Sequence, residues 1–254
     1  MMPTLYSSYR LMIRALRESI RQPALELPNI FIPFFFFAVT VGAIGQVAAQ
    51  SFGITNYTAF QMPVAILQAV AGTASNTGLA AVIDIERGYF DKLLLTPAPR
   101  LALVLGRIWA DFVRAMLLTA LIVVVGIIFG SGMEAGPAGA LLVVLLAGSF
   151  GAAYSGIGLA IALRTGSSQA AQAGFLLFFP LLFLSPAFAP KEIFSGWLEF
   201  AATINPVTYI LEAMRHLVLV GWSVESLAKA VGSIAGFGVF TISMTLAALR
   251  WRTS

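Results

Sequence analysis

The chain lacks cysteine and has a single histidine, His216. The absence of thiols excludes disulfide bonds, thiolate metal sites and cysteine nucleophiles, and one histidine excludes a histidine-rich metal centre. Charge is scarce too, because Asp, Glu, Lys and Arg make up only 10% of the 254 residues. A soluble domain carries about a quarter. We therefore expect no metal site in this chain. We also expect that much of its surface does not face water.

Much of the sequence consists of long apolar segments without charged residues. The chain is 59% hydrophobic with a mean hydropathy of +0.91, and no charged residue lies between Glu26 and Asp84. About 20 apolar residues cross a bilayer as a helix, so this interval alone holds two crossings. The sequence predicts an all-α integral membrane protein, a single transmembrane domain over residues 1–254 with six spans. These spans lie near 28–50 and 58–83 and within 115–133, 135–163, 165–190 and 230–249.

The basic residues predict the topology. Twelve of the fifteen lie before the first span, between spans two and three, between four and five, or after the sixth. Only Lys191, Arg215 and Lys229 lie on the opposite side. The positive-inside rule then predicts that both termini and segment 84–114 are cytoplasmic, in a multi-pass protein of the cell (inner) membrane. The net charge of +4 needs no nucleic-acid partner to explain it.

Residues 1–26 are expected to form an interfacial amphipathic helix. Four arginines, at positions 10, 14, 17 and 21, recur on one helical stripe beside an apolar stripe. Arginine side chains on such a helix reach lipid phosphates, which makes membrane lipids a predicted partner. An ordinary solvated helix is the alternative.

The densest charge in the chain is the stretch ERGYFDKLLLTPAPR, residues 86–100. Arg87 and Asp91 are spaced to pair across one helical turn, and the prolines at 97 and 99 end the helix. We expect a short amphipathic helix over 86–98 between spans two and three, with Tyr89 and Phe90 on its apolar face. Mixed charge on a simple anchored loop is the alternative.

The stretch ERGYFDKLLLTPAPRLALVLGR resembles the cytoplasmic segment of the permease subunits of type-2 ABC exporters. The matching residues are Glu86, Gly88, Leu93, Leu94, Thr96, Pro97, Arg100, Gly106 and Arg107. A second segment, NPVTYILEAMRHLVL, is similar to that family through Asn205, Pro206, Tyr209, Ala213 and Arg215. Gly88-Tyr89 departs from the family's usual Gly-Thr, which could reflect a different partner surface.

The resemblance implies that segment 86–98 is a coupling helix that lies in a groove of an ABC ATPase subunit. The implied contact residues are Asp84, Glu86, Arg87, Gly88, Tyr89, Phe90, Asp91, Lys92 and Arg100. None of the three lysines follows a glycine, so the sequence has no phosphate-binding P-loop. We expect no cofactor in this chain, with ATP and Mg bound by the partner ATPase. A second permease copy or a paralogue is implied, as a homodimer or a heterodimer.

Polar and aromatic residues in spans two and five suggest a substrate path, a role that the resemblance also implies. These residues are Gln61, Gln68, Ser75, Asn76, Gln172, Phe175, Phe179 and Phe183. Buried polar groups in spans are costly and often functional. The alternative is that the glutamines only bond to neighbouring helices and the phenylalanines face lipid.

Residues 189–226 are too long and too apolar for a simple loop. Asn205-Pro206 predicts a helix N-cap followed by proline at the first helical position. Glu212 is spaced to pair with Arg215 or His216. The resemblance implies short re-entrant helices here, before span six, that form an outer gate with Asn205, Pro206, Tyr209, Glu212 and Arg215.

Three functions remain open at this point. The favoured one is a transport subunit, not an enzyme, that exports an amphipathic drug, lipid or lipid-linked glycan with ATP hydrolysed elsewhere. An ion-coupled secondary transporter would need a mid-membrane carboxylate, and every Asp and Glu is expected near a span end or in a loop. A membrane-embedded lipid-processing enzyme would have to use the Glu212–His216 region, which offers no nucleophile.

Overall fold

The computed structural model describes residues 2–96 and 99–252, which are helical throughout apart from short connections. Eleven α-helices and one 3₁₀ helix follow one another within this part of the chain. They are α1 (Met2–Arg21), α2 (Pro23–Phe52), α3 (Tyr57–Glu86), α4 (Tyr89–Leu94), α5 (Arg100–Ile128), α6 (Gly136–Thr165), α7 (Ser168–Leu176), α8 (Phe178–Phe183), the 3₁₀ helix (Lys191–Ile193), α9 (Trp197–Ile204), α10 (Pro206–Leu219) and α11 (Val224–Arg252).

Five helices in the described part are long and apolar enough to cross a membrane, which confirms an all-helical membrane protein. They are Glu26–Phe52 within α2, and α3, α5, α6 and α11 over their full lengths. The predicted fifth span is instead the shorter apolar stretch Ser168–Phe183, interrupted at Leu177. Pro180 explains the interruption, because it has no N–H for the carbonyl of Leu176 and its ring crowds that carbonyl. A six-span layout therefore stays a prediction.

Local sequence signals set the helix ends where turns were expected. Gly53 ends α2 with a φ of 66°, a left-handed conformation that glycine adopts without strain. Asn56 then caps α3, its side chain accepting a hydrogen bond from the N–H of Ala59 at 2.9 Å. Gly166 and Ser167 end α6 and cap α7 in the same way. The turns predicted in 50–56, 130–137 and 164–169 are confirmed.

The core is built around α3, which contacts α2, α5, α6, α7 and α10. Its closest neighbour is α6: a Cβ added at Gly78 would lie 2.5 Å from the carbonyl oxygen of Gly158. Small residues at such a crossing let two backbones approach and gain van der Waals contact. In contrast, α2 is mostly exposed and packs chiefly on α3.

Two boundaries differ from the sequence predictions. The first helix ends at Arg21 rather than near residue 26, because Pro23 begins α2. The third long helix begins at Arg100 and ends at Ile128, whereas the charge-free window was 115–133. Asp111 consequently lies inside a long helix and is 1% exposed. Asp111 nevertheless lies one turn from Arg107, which bonds to Asp84 at the end of α3, so the expectation that every carboxylate lies near a span end or in a loop stays a prediction.

The α3–α6 crossing yields a matched test of packing. Replacing Gly78 with Ala should lower the free energy of unfolding by about 1–3 kcal/mol, since the added methyl meets backbone that cannot move aside. Gly42→Ala in α2 is the control, because nothing lies within 4 Å of its Cβ position. Thermal unfolding in detergent should show a lower midpoint for the first variant only. Equal midpoints would contradict the close crossing.

Candidate functional site

A buried carboxylate joins three helices next to the predicted coupling segment. Asp84, near the end of α3, is 3% exposed. Arg14 of α1 donates two hydrogen bonds to it, at 2.7 and 3.1 Å, and Arg107 of α5 donates a third. Burial opposes the charge on Arg14, but the hydrogen bond and charge of Asp84 outweigh it and raise the pKa of Arg14. Asp84 therefore fixes α1 and α5 to the end of α3.

A second ion pair lies beside the first. Asp111 and Arg114 of α5 are in contact, and Thr77 of α3 donates a hydrogen bond to Asp111 at 2.7 Å. Arg114 also reaches Glu26 of α2 at 3.4 Å. The arginine–carboxylate cluster, as we call these groups, comprises Arg14, Glu18, Glu26, Asp84, Arg107, Asp111 and Arg114. It connects α1, α2, α3 and α5 at one end of the bundle.

The predicted coupling segment is a turn followed by a short helix, rather than one helix over 86–98. Gly88 has a φ of 66° and separates the end of α3 from α4. Arg87 therefore lies in the turn after α3, whereas Asp91 lies in α4. No ion pair joins them, so that predicted pairing is wrong. Pro97 and Ala98, at the predicted end of the segment, lie outside the described residues.

One face of α4 is exposed and charged, and the other packs on the bundle. Exposed side chains of this corner are Glu86, Arg87, Asp91, Lys92, Leu95 and Arg100. Phe90 is 4% exposed within a cluster of apolar residues from α3, α5, α6 and α11. The ring of Tyr89 lies 3.9 Å from the guanidinium of Arg14. The corner around α4 therefore presents charged side chains to solvent and is anchored to the bundle by buried residues. Because Asp84 is one of these buried residues, its predicted role as a surface contact is wrong.

The predicted path residues fall into two groups. Gln61, Gln68, Phe179 and Phe183 surround a narrow cavity between α2, α3 and α8 that holds about 30 Å³, room for one or two water molecules. Gln61 is 3% exposed, yet its Oε1 atom has no hydrogen-bond partner. The other four lie elsewhere: Ser75 bonds to its own helix at the Ala71 carbonyl, Asn76 is near Arg107 and Arg114, and Gln172 and Phe175 are on α7.

Phenylalanines form a continuous row along the broken helix. The ring centroids of Phe175 and Phe179 are 5.2 Å apart, those of Phe179 and Phe183 6.4 Å, and those of Phe183 and Phe188 5.5 Å. Gln172 is exposed one turn before this row. Gln169 of the same helix is exposed as well, so the start of α7 is polar and the aromatic row is its apolar continuation. The path role of these residues stays a prediction.

The predicted outer-gate motif is organised by Arg215. Arg215 is 8% exposed and donates hydrogen bonds to three carbonyl oxygens, those of Phe60, Pro186 and Ala187. Its guanidinium lies 3.4 Å from the Phe60 ring centroid. Burial lowers the pKa of Arg215 to about 9, so it stays charged at neutral pH. The predicted Glu212 pairing is wrong, because Arg215 bonds to backbone instead and no ion pair joins Glu212 to His216.

The other residues of this motif include the N-cap and the helical proline that the sequence predicts. The side chain of Asn205 accepts from the N–H of Val207 at 3.0 Å, as an N-cap does, and donates to the Leu181 carbonyl of α8 at 2.5 Å. Pro206 is the first residue of α10. The Tyr209 hydroxyl donates to the Thr203 carbonyl of α9 at 2.5 Å. The motif therefore holds α8, α9 and α10 together.

Comparison with known proteins gives this arrangement a family. The ABC-2 type transporter family matches residues 7–219. The chain belongs to the ABC-2 type transporter family. It is 26% identical over 209 residues to the daunorubicin resistance ABC transporter permease protein DrrB1 of Streptomyces coeruleorubidus, a match that covers 81% of this chain and 72% of that one.

Two further relatives are similar over comparable lengths. The putative transport permease ycf38 of Cyanophora paradoxa is 29% identical over 206 residues, covering 78% of this chain and 69% of the relative. The probable doxorubicin resistance ABC transporter permease protein DrrC of Mycobacterium tuberculosis is 23% identical over 220 residues, covering 86% and 77%. The chain is thus an ABC transporter permease of the multi-pass membrane class, and its family is one of transport proteins rather than enzymes.

Sequence reasoning missed how the charged groups of the permease combine. Arg14 was expected to reach lipid phosphates, but it bonds to Asp84. Arg100, Arg107 and Arg114 recur every seven residues, so they share one face of α5. Arg107 takes its carboxylate partner, Asp84, from α3, whereas Arg114 pairs with Asp111 of its own helix and with Glu26 of α2. The periodicity alone therefore did not identify the partners. The acceptors of Arg215 carried no signal, because they are backbone carbonyls far away in the sequence.

Removing the charge of Asp84 should loosen α1 from the permease. In Asp84→Asn, Arg107 loses its carboxylate partner and Arg14 keeps only the longer contact to Glu18, at 3.7 Å. Leaving a buried charge unpaired in this way costs about 3–5 kcal/mol. We expect a lower unfolding midpoint and faster hydrogen exchange in α1. Glu225→Gln is the control, because Glu225 pairs with Lys229 on an exposed surface. Unchanged exchange in α1 would show that Asp84 does not hold that helix.

Proposed function

We propose that the permease exports an amphipathic substrate, such as a drug, a lipid or a lipid-linked glycan, with energy from a separate ATPase subunit. The observation that carries this proposal is the charged corner around α4. Its side chains Glu86, Arg87, Asp91 and Lys92 are exposed, while Phe90 and the arginine–carboxylate cluster tie the corner to the long helices. Force applied to such a surface is transmitted to the spans instead of being lost in a flexible loop.

In this proposal the α4 corner faces the cytoplasm, as do both termini, in the inner membrane. The ATPase binds and hydrolyses ATP with Mg, and this chain binds neither. One long apolar bundle of this size supplies half of a translocation unit, so a second permease, identical or paralogous, completes it. The family supports an ATPase partner and paired permeases in general.

The aromatic cavity at Gln61 supports a path for amphiphiles. Its walls include five phenylalanines, which suit apolar or flat substrates, and Gln61 Oε1, which has no hydrogen-bond partner, is available to a donor group on the substrate. The cavity holds little more than water in this conformation, so substrate entry requires α2 and α8 to separate. Opening of this kind is what a closing ATPase pair would drive through α4.

Ion-coupled transport has less support. Asp111 is the buried carboxylate that such a mechanism would use, but Arg114 already neutralises it and Thr77 donates to it. A carboxylate that must bind and release a cation each cycle is poorly served by a permanent arginine partner.

Reversing one charge on α4 should separate the permease from its ATPase. Asp91 is exposed, so Asp91→Arg leaves the fold intact while opposing the partner surface. We expect at least about tenfold less ATPase to co-purify in nanodiscs, with a matching loss of stimulated ATP hydrolysis.

Glu192→Arg is the matched control, since Glu192 is exposed on the 3₁₀ helix at the opposite end of the bundle. It should retain the ATPase. Equal co-purification of wild type, Asp91→Arg and Glu192→Arg would refute α4 as the coupling surface.

Gln61→Leu separates a path role from a structural one. Because Gln61 Oε1 has no partner, an apolar side chain of similar size should leave thermal stability unchanged or raise it. If Gln61 lines the path, substrate-stimulated ATPase activity should fall several-fold in the same variant. Thr73→Val, at another buried polar position of α3, is the control for any polar loss in this helix. Full activity in Gln61→Leu would remove Gln61 from the path.

A further inference from the structure

A charged pocket lies next to Arg215, between the 3₁₀ helix, α10 and the start of α11. We call it the outer pocket. It has a volume of about 440 Å³, large enough to admit water to all of its walls. Besides Arg215, the ionisable side chains that line it are Lys191, Glu192, Glu212, His216, Glu225 and Lys229.

Glu212 is a half-buried carboxylate of the outer pocket that lacks a partner. Glu225, in the wall formed by α11, pairs with Lys229 at 2.6 Å. Arg215 lies one turn after Glu212 on α10, but its guanidinium donates to backbone carbonyls instead. Among the described residues, no ion pair includes Glu212. Its charge is therefore compensated only at a distance.

Glu212 consequently holds a proton more tightly here than it would in water. Burial raises the pKa of Glu212, and the charge of Glu192 adds to this rise. Lys191, Arg215 and Lys229 oppose the rise but do not cancel it. The other ionisable groups around this site are His216 on the same helix, Glu225 on α11, Tyr209 near Lys229, and Tyr57 of α3 near Arg215.

The wall opposite Glu212 is a segment that is fixed only at its two ends. We call residues 189–196 the flap, which contains the 3₁₀ helix. Just before it, Arg215 binds the carbonyls of Pro186 and Ala187. At its other end Gly196 has a φ of 60° and a ψ of −130°, a conformation that side chains disfavour. Between these points no side chain of the flap forms an ion pair within the described part of the chain.

We propose that a proton on Glu212 keeps the flap docked across the outer pocket, and that loss of this proton releases the flap so that water reaches the carboxylate. The sign follows from linkage. The docked conformation half-buries Glu212 and raises its pKa, so docking is fully stable at acidic pH and weakens as the pH rises through that raised pKa. The inference goes beyond the proposed export function, since docking requires neither an ATPase nor a substrate.

Hydrogen exchange in the flap, followed by mass spectrometry of the purified permease in nanodiscs, tests the proposal. Wild type and Glu212→Gln are compared at the same pH, and because residue 212 lies outside the flap peptide, intrinsic exchange rates cancel. The two should exchange equally at about pH 5, where both are uncharged at this position. At about pH 8, wild type should exchange at least about threefold faster than Glu212→Gln.

Further variants separate Glu212 from its neighbours and from a folding defect. Glu212→Met is also uncharged and should behave like Glu212→Gln, and exchange in α4 reports whether either variant is folded. His216→Gln tests the other group of α10 that can titrate in this range. Glu199→Gln removes an exposed carboxylate of α9. These two variants should exchange like wild type at both pH values.

Two kinds of result would overturn the proposal. The first is equal flap exchange at about pH 8 in wild type and in a folded uncharged variant, or slower exchange in wild type. The second is a loss of the pH-dependent increase in His216→Gln, which would assign the effect to the imidazole.

Discussion

The rest of the structure depends on how one buried carboxylate is neutralised. Asp84 lies at the end of the most buried helix, where an unpaired charge would cost several kcal/mol. Arg14 and Arg107 satisfy it, and in doing so they bring α1 and α5 to α3. The α3–α4 turn begins a few residues later, so the position of the exposed α4 surface follows from this contact. The exposed α4 surface and the long helices are thereby joined by direct contacts, which is what the proposed coupling to an ATPase requires.

At the opposite end of the bundle, side chains satisfy buried backbone carbonyls instead of a buried carboxylate. The apolar stretch Ser168–Phe183 is interrupted at Leu177, between α7 and α8, and helical structure ends again after α8. Each of these helix ends leaves carbonyl oxygens without helical donors. Arg215 and Asn205 supply donors to the carbonyls of Pro186, Ala187 and Leu181. A broken helix is thus tolerated, and its aromatic row can line a cavity rather than only contact lipid. Charge fixes one end of the permease, and backbone hydrogen bonding fixes the other.

The sequence predicted the helical membrane class, most turns and the Asn205 cap, because these depend on local patterns: charge-free length, glycine and proline, and an N-cap side chain. It did not predict the break at Leu177, although Pro180 lies three residues later, because the span was placed by the length of the charge-free window 165–190. It also misplaced the partners of Arg14, Arg87 and Glu212. Spacing within a helix suggested local pairs for Arg87 and Glu212, and an amphipathic stripe suggested lipid contacts for Arg14. Instead, Arg14 bonds to a carboxylate 70 residues away, and the αL turn at Gly88 removes Arg87 from α4. Ion pairs between helices depend on packing that no single segment encodes.

If an ATPase drives the permease as proposed, α1, α3, α4 and α5 should move as one unit. The absence of native cysteine makes this measurable, because spin labels can be attached at Arg17→Cys on α1 and Lys92→Cys on α4, both exposed. Double electron–electron resonance, with an excess of unlabelled permease to suppress distances between copies, would be recorded with the ATPase in the absence and presence of ATP. The account predicts the same distance within the chain in both states. A shift of several ångströms between the two labels would show that α4 moves independently of the helices that Asp84 joins, and would contradict it.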